Sequence, residues 1–168
     1  MKPSASPKLA LEPPPPPPPQ RLGRRHQLTL SLQQPDARHR RWLPRSHVVR
    51  WVHAALEFDA QLTIRVVDEA EGLALNRSFR KKAYATNVLT FNYALEPILL
   101  ADIVLCAPVV AQEALDAGIN VAAHYAHLVV HGVLHAQGHD HGRAAQAKRM
   151  EAREVDILRS LGLHNPYG

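Results

Sequence analysis

This chain has little of several things. It contains one cysteine, Cys106, so it has neither a disulfide framework nor a cysteine-built zinc site, and a reducing compartment suits it. Aromatic residues make up only 5% of its 168 residues. No apolar run approaches the roughly 20 residues that a membrane-spanning helix needs, so a membrane partner is not expected. Acidic residues are scarce at the front. Residues 1–50 hold ten Lys/Arg against two Asp/Glu, whereas residues 51–168 hold ten against thirteen. The net charge of +5 therefore belongs to the first part of the chain. A basic arm attracts polyanions such as RNA, and it equally keeps a tail in solution.

That front also lacks periodicity. Pro13 to Pro19 are seven consecutive prolines, a composition that favours polyproline II or disorder. Residues 1–25 are expected to be a disordered, proline-rich basic tail, and residues 26–168 one folded domain. Leu28, Leu30 and Leu32 alternate with polar residues, as do Leu62, Ile64 and Val66; both stretches read as half-buried strands. Residues 88–93 and 99–105 read as two more. Helices are expected after Ser46 as a cap, after Asp68 with Glu71 three residues on, from Pro108 to near Gly118, after Asn120, and over about residues 143–160. The order predicts an α+β fold, a small mixed sheet of about four strands packed with about five helices.

What the sequence has in excess is histidine. Six of its eleven lie within residues 124–141. His131 and His135 are four apart and share a helix face. Gly138 can take positive φ and end the helix, so the chain can turn back and bring His141 to the same point. Three neutral imidazoles converging from one side leave a position open on a divalent metal, which distinguishes a catalytic zinc site from a closed structural one. A lone HxxxH pair reads as two surface histidines; the third, beyond a glycine, changes that reading.

The spacing matches the zincin-like metalloprotease string H-E-x-x-H-x-x-G-x-x-H except at Gly132, where the protease carries its general base. A peptidase reading thus loses its key residue while the metal cage remains. No other carboxylate lies within these helical turns, and Asp140 is the nearest in sequence. It is expected to orient a ligand or help the turn, with the role of a proton acceptor as the alternative. His127 precedes His131 by four residues and His139 neighbours His141, so both are candidates for the cleft or for support of the ligands.

A second constellation runs from Leu75 to Phe91, with Arg77, Arg80, Lys81 and Lys82 within six residues. Taken alone, it is a solvated basic turn or a phosphate site. Three strings now stand in order: Leu75-Asn76…Phe79-Arg80…Thr86-Asn87-Val88-Leu89-Thr90-Phe91, then Asp102-Ile103-Val104-Leu105-Cys106, then His131-Gly132-Val133-Leu134-His135…Gly138-His139-Asp140-His141. Together they resemble the YbeY family of bacterial metal-dependent endoribonucleases over about residues 26–164. The chain departs from that pattern at Ala101 (usually Gly), Ala83 (often an acid) and His139 (often Tyr).

The resemblance implies a zinc-dependent, single-strand-preferring endoribonuclease, a cytoplasmic hydrolase. Its work would be ribosomal RNA processing at the small-subunit 3′ end and ribosome quality control. It implies one zinc per chain on His131, His135 and His141, and Arg80 as the catalytic arginine. It implies ribosomal RNA and the small ribosomal subunit as partners, with ribosomal proteins as further candidates. The competing readings are a non-catalytic ribosome-assembly factor with a structural metal and, behind it, a metalloprotease.

Overall fold

The computed structural model describes residues 25–35, 37–80 and 86–168, with the backbone alone at residue 80. The tail expected over residues 1–25 lies outside the described residues apart from Arg25. Lys81, Lys82, Ala83 and the Arg80 side chain lie outside them too.

Four strands form one mixed sheet in the order β1-β2-β4-β3. They are β1 (Leu28–Gln33), β2 (Ala60–Val67), β3 (Val88–Ala94) and β4 (Leu99–Cys106). β1 pairs with β2 and β2 with β4 in parallel, while β3 runs antiparallel to β4 and forms an edge. Alternation along the strands sorts side chains to two faces. Leu62, Ile64, Ala101, Ile103 and Leu105 enter the main core. Val67, Leu89, Val104 and Cys106 form a smaller cluster with Leu75 and Val109.

Five α-helices accompany the sheet: α1 (Arg45–Ala55), α2 (Glu69–Arg80), α3 (Ala107–Ala117), α4 (Val121–Ala136) and α5 (Ala144–Ser160). The α+β expectation holds. A 3₁₀ helix over Ala37–Trp42 was not legible in the sequence. The Asp68 carboxylate accepts from the Glu71 backbone N–H at 2.8 Å, and Asn120 Oδ1 accepts from Ala122 N–H at 2.8 Å, so both caps form as their residue types predict. Ser46 does not cap α1. The chain enters that helix at Pro44, with no side-chain cap bond, because proline's fixed φ already suits a helix start.

Helix α4 is central. It packs on α1, α5 and the sheet, so Leu128, Val129, Val130, Val133 and Leu134 are all buried. Each such side chain contributes about 1.5–3 kcal/mol by leaving water. His124, His127, His131 and His135 occupy one stripe along this otherwise apolar helix.

Candidate metal centre

His131 and His135 stand one turn apart on α4. After α4 the chain turns at Gly138, whose φ is 97°; at such a φ a side chain is strained. The turn is pinned on both sides. Gln137 Nε2 donates to Ala55 O at 2.8 Å, and Gln137 Oε1 accepts from Glu57 N–H at 2.6 Å. His141 is thereby returned to the histidine face. Ring centroids of His131 and His141 are 5.5 Å apart, those of His135 and His141 5.7 Å, and those of His131 and His135 6.5 Å. All three rings line one cleft of about 530 Å³, whose opposite wall is Phe79, Thr86, Asn87, Val88, Leu89, Thr90 and Phe91. The spacing argument thus brings together the three residues it named, and edge strand β3 faces them.

Hydrogen bonds decide which ring nitrogen each histidine offers. His135 donates from Nδ1 to the His139 carbonyl oxygen at 3.0 Å. His131 donates from Nδ1 to Glu154 Oε1 at 2.5 Å. A carbonyl and an ionised carboxylate only accept, so both Nδ1 atoms carry hydrogen, and Nε2 is the nitrogen whose lone pair the neutral ring presents to the cleft. The His141 ring makes no hydrogen bond among the described residues.

Glu154 is what the sequence reading missed. Asp140 is the nearest carboxylate along the chain, but Glu154, on α5, lies against His131 and is 0% exposed. A signal existed: Met150, Glu154, Ile157 and Leu158 share one helix face, so an acid interrupts an apolar stripe. Burial would push this carboxyl up. Hydrogen bonds from His127, His131 and Tyr167 outweigh it and hold the carboxyl at about 2.

The other candidates have defined places. Asp140 Oδ1 accepts from the backbone N–H groups of His141 (2.7 Å) and Gly142 (3.1 Å), which lower its carboxyl pKa. It shapes the turn, and its donor oxygen also lies close to His135 and His141. His127 donates from Nε2 to Glu154 Oε2 at 3.1 Å. His139 turns its ring away, to Glu57 at 3.0 Å. Thr86 and Asn87 line the cleft, whereas Asp102 accepts from the Tyr93 hydroxyl at 2.8 Å.

Among the described residues, two groups of donor atoms lie close enough together to hold a metal ion: His127 with His131 and Glu154, and His135 with Asp140 and His141. The predicted triad is split between them. Among the described residues no helix is long and apolar enough to cross a membrane.

Residues 33–162 match the family model described as Endoribonuclease YbeY. Proteins named Endoribonuclease YbeY are similar over most of the chain. That of Methylibium petroleiphilum is 59% identical over 140 residues, covering 83% of this chain and 94% of its own. That of Albidiferax ferrireducens is 57% identical over 146 residues, covering 84% and 99%. The solution structure of TM1509 from Thermotoga maritima shares the fold, with a TM-score of 0.54 and 20% identity, covering 80% of this chain and 92% of that one. A match over residues 33–162 and identities of this size leave one conclusion: the chain belongs to the endoribonuclease YbeY family.

Proposed function

We propose that this chain is a zinc-dependent endoribonuclease that hydrolyses phosphodiester bonds in single-stranded RNA, with the metal held by His131, His135 and His141. Family membership supplies the hydrolase activity on RNA. The observation that carries the metal assignment is the convergence of these three rings on one cleft. With Zn–N bonds of 2.0–2.1 Å and tetrahedral angles, imidazole centroids around one zinc sit about 5 Å apart. Two of the three separations, 5.5 and 5.7 Å, are close to this, and the third, 6.5 Å, needs a modest closing. With Nδ1 of His131 and of His135 taken up by hydrogen bonds, Nε2 is the ring nitrogen each has left to offer a metal, which it does as the neutral imidazole.

The alternative group fits less well. His131 Nδ1 is 2.5 Å and His127 Nε2 3.1 Å from the Glu154 oxygens, whereas two donors on one tetrahedral zinc are about 3.3 Å apart. That trio is held by hydrogen bonds.

A bound zinc supplies Lewis acidity toward phosphoryl oxygens and water. The chain's own residues bind and orient the RNA. Phe79, 63% exposed, meets Phe91 edge to face at 4.9 Å within the cleft wall. It offers a π-face to an unstacked base, which single strands provide and duplexes do not. Thr86, Asn87 and Thr90 offer polar groups beside it. Arg80 follows Phe79 directly and, in this reading, holds the scissile phosphate and stabilises its developing charge. The family resemblance extends the proposal to ribosomal RNA of the small subunit, its 3′-end maturation and quality control, in the cytoplasm.

The test pairs metal content with cleavage of a fluorescent single-stranded RNA, wild type against His135→Ala. Near one equivalent of zinc, with cleavage lost in the variant, supports the proposal. Zinc bound without cleavage by either protein turns the reading to a ribosome-assembly factor. Arg80→Ala with undiminished cleavage removes that residue's role.

A further inference from the structure

We propose that Glu154 and Tyr167 are positioning residues for the metal centre: Tyr167 fixes the Glu154 carboxylate, and that carboxylate fixes the tautomer and angle of the His131 ring. The inference rests on the metal assignment above and extends it to the last helix and the C-terminal turn.

A carboxylate with no solvent exposure is costly unless its lone pairs are filled. Here three donors fill them, and they are divided unevenly. Among the described residues, Oε1 serves His131 alone. Oε2 takes His127 Nε2–H and the Tyr167 hydroxyl. His127 Nε2–H also reaches the Tyr167 oxygen at 3.3 Å, and their rings meet nearly at right angles, with centroids 5.6 Å apart. The carboxylate is therefore clamped on one oxygen by two groups, and its other oxygen is free to hold a single ring. Rotation of the His131 ring breaks its bond to that carboxylate. The same bond puts the hydrogen on Nδ1 and leaves Nε2 for the cleft. Carboxylate partners of this kind orient metal-bound histidines and raise their basicity.

Tyr167 is the penultimate residue, 47% exposed. Its backbone N–H is held by Asn165 Oδ1 at 2.8 Å, and its hydroxyl donates to Glu154 Oε2. Removing that hydroxyl leaves His127 as the sole clamp on Oε2 and opens a place for water. His127 acts here through Glu154, not as a ligand.

The full-length protein tests this in four forms: wild type, Tyr167→Phe, Glu154→Gln and the double variant. Three quantities are read: zinc affinity by chelator competition, the visible spectrum of the cobalt-substituted protein, and the melting temperature without metal. Tyr167→Phe is expected to melt somewhat below wild type without metal, because the buried carboxylate loses one donor. It is also expected to bind zinc several-fold more weakly and shift the cobalt spectrum, which a loss of stability alone would not do. Glu154→Gln is expected to lose about 10–100-fold in zinc affinity and to alter the cobalt spectrum. The double variant should be no weaker than Glu154→Gln alone, because the hydroxyl acts only through that carboxylate. Unchanged affinity and spectrum in both single variants overturn the inference, as does a Tyr167→Phe effect that persists in the Glu154→Gln background. Should Glu154→Gln fail to fold, Tyr167→Phe decides alone. A second zinc equivalent lost with Glu154 also overturns it, by making the carboxylate a ligand. Wild-type protein that takes up no zinc sinks the metal assignment itself, and this inference with it.

Discussion

His135 Nδ1 lies 3.0 Å from the carbonyl oxygen of His139, so the turn that follows α4 also orients the ring of one of the proposed metal ligands. The turn closes by backbone bonds, Gly138 N–H to His135 O and His139 N–H to Leu134 O, both 3.1 Å. One short segment therefore does three jobs. It ends α4, directs the His135 ring and returns His141 to the cleft.

Gly138→Ala should separate the backbone's part in this from packing. No atom lies within 4 Å of where a Cβ would stand, yet φ is +97°, a conformation that costs a side-chain-bearing residue about 1–3 kcal/mol. The expected result is a lower melting temperature without metal and weaker zinc binding, since relaxing φ moves the His139 carbonyl. Thermal unfolding and chelator competition measure the two. An alanine variant equal to wild type in both would show that the turn does not constrain the ligands.

Phe79→Ala should act on substrate alone. Stacking of a base on an aromatic ring contributes about 1–3 kcal/mol, so KM for single-stranded RNA should rise roughly fivefold or more. Zinc content should stay at the wild-type value, because Phe79 lines the cleft wall opposite the histidines. Steady-state kinetics with a metal assay decide it; unchanged KM removes Phe79 as a stacking surface.

Much of this architecture was legible because its signals are local. Alternation gave two strands and β-prone runs the other two, Asp68 and Asn120 announced their helices, and the spacing of His131, His135, Gly138 and His141 carried the cleft. Glu154 was not legible as a partner of His131, since they are 23 residues apart and meet only when α5 packs on α4. Tyr167 is further still, and nothing in its neighbours foretells a hydroxyl bonded to a buried carboxylate. The role of Ser46 was misread because capping propensity is weak beside a proline that already sets the helix start.

Acid stability of the metal-free protein should depend on Glu154. Its carboxyl titrates at about 2 in the fold against an ordinary 4.5. A depressed value means that the folded state prefers the ionised form. The stabilisation is complete above about pH 4.5 and disappears as pH falls through about 2, with a size on the order of 3 kcal/mol. Glu154→Gln should be less stable at neutral pH and should lose less stability across that window. Denaturant unfolding between pH 5 and pH 2 measures both, and parallel curves for the two proteins would disprove the linkage.

Gly132→Ala tests why the residue after His131, the first proposed ligand, has no side chain. An added Cβ would stand 3.0 Å from Ile103 Cγ2 and 3.3 Å from its Cδ1. Ile103 is fully buried on central strand β4, so it cannot swing aside into solvent. Alanine gains about 1 kcal/mol of helix propensity over glycine. Overpacking a closed core costs about 1–3 kcal/mol, and here the backbone of α4 must lift from β4 to relieve it. The clash should win, lowering the melting temperature by several degrees. Because His131 adjoins Gly132 in the chain, zinc affinity should fall as well. Glutamate at this position, the residue that a protease of this spacing carries, is larger and faces the sheet, so Gly132→Glu should destabilise the fold and confer no peptidase activity. An alanine variant as stable as wild type, with full zinc affinity, would mean that α4 and β4 have slack between them and that Gly132 is not there for their close approach.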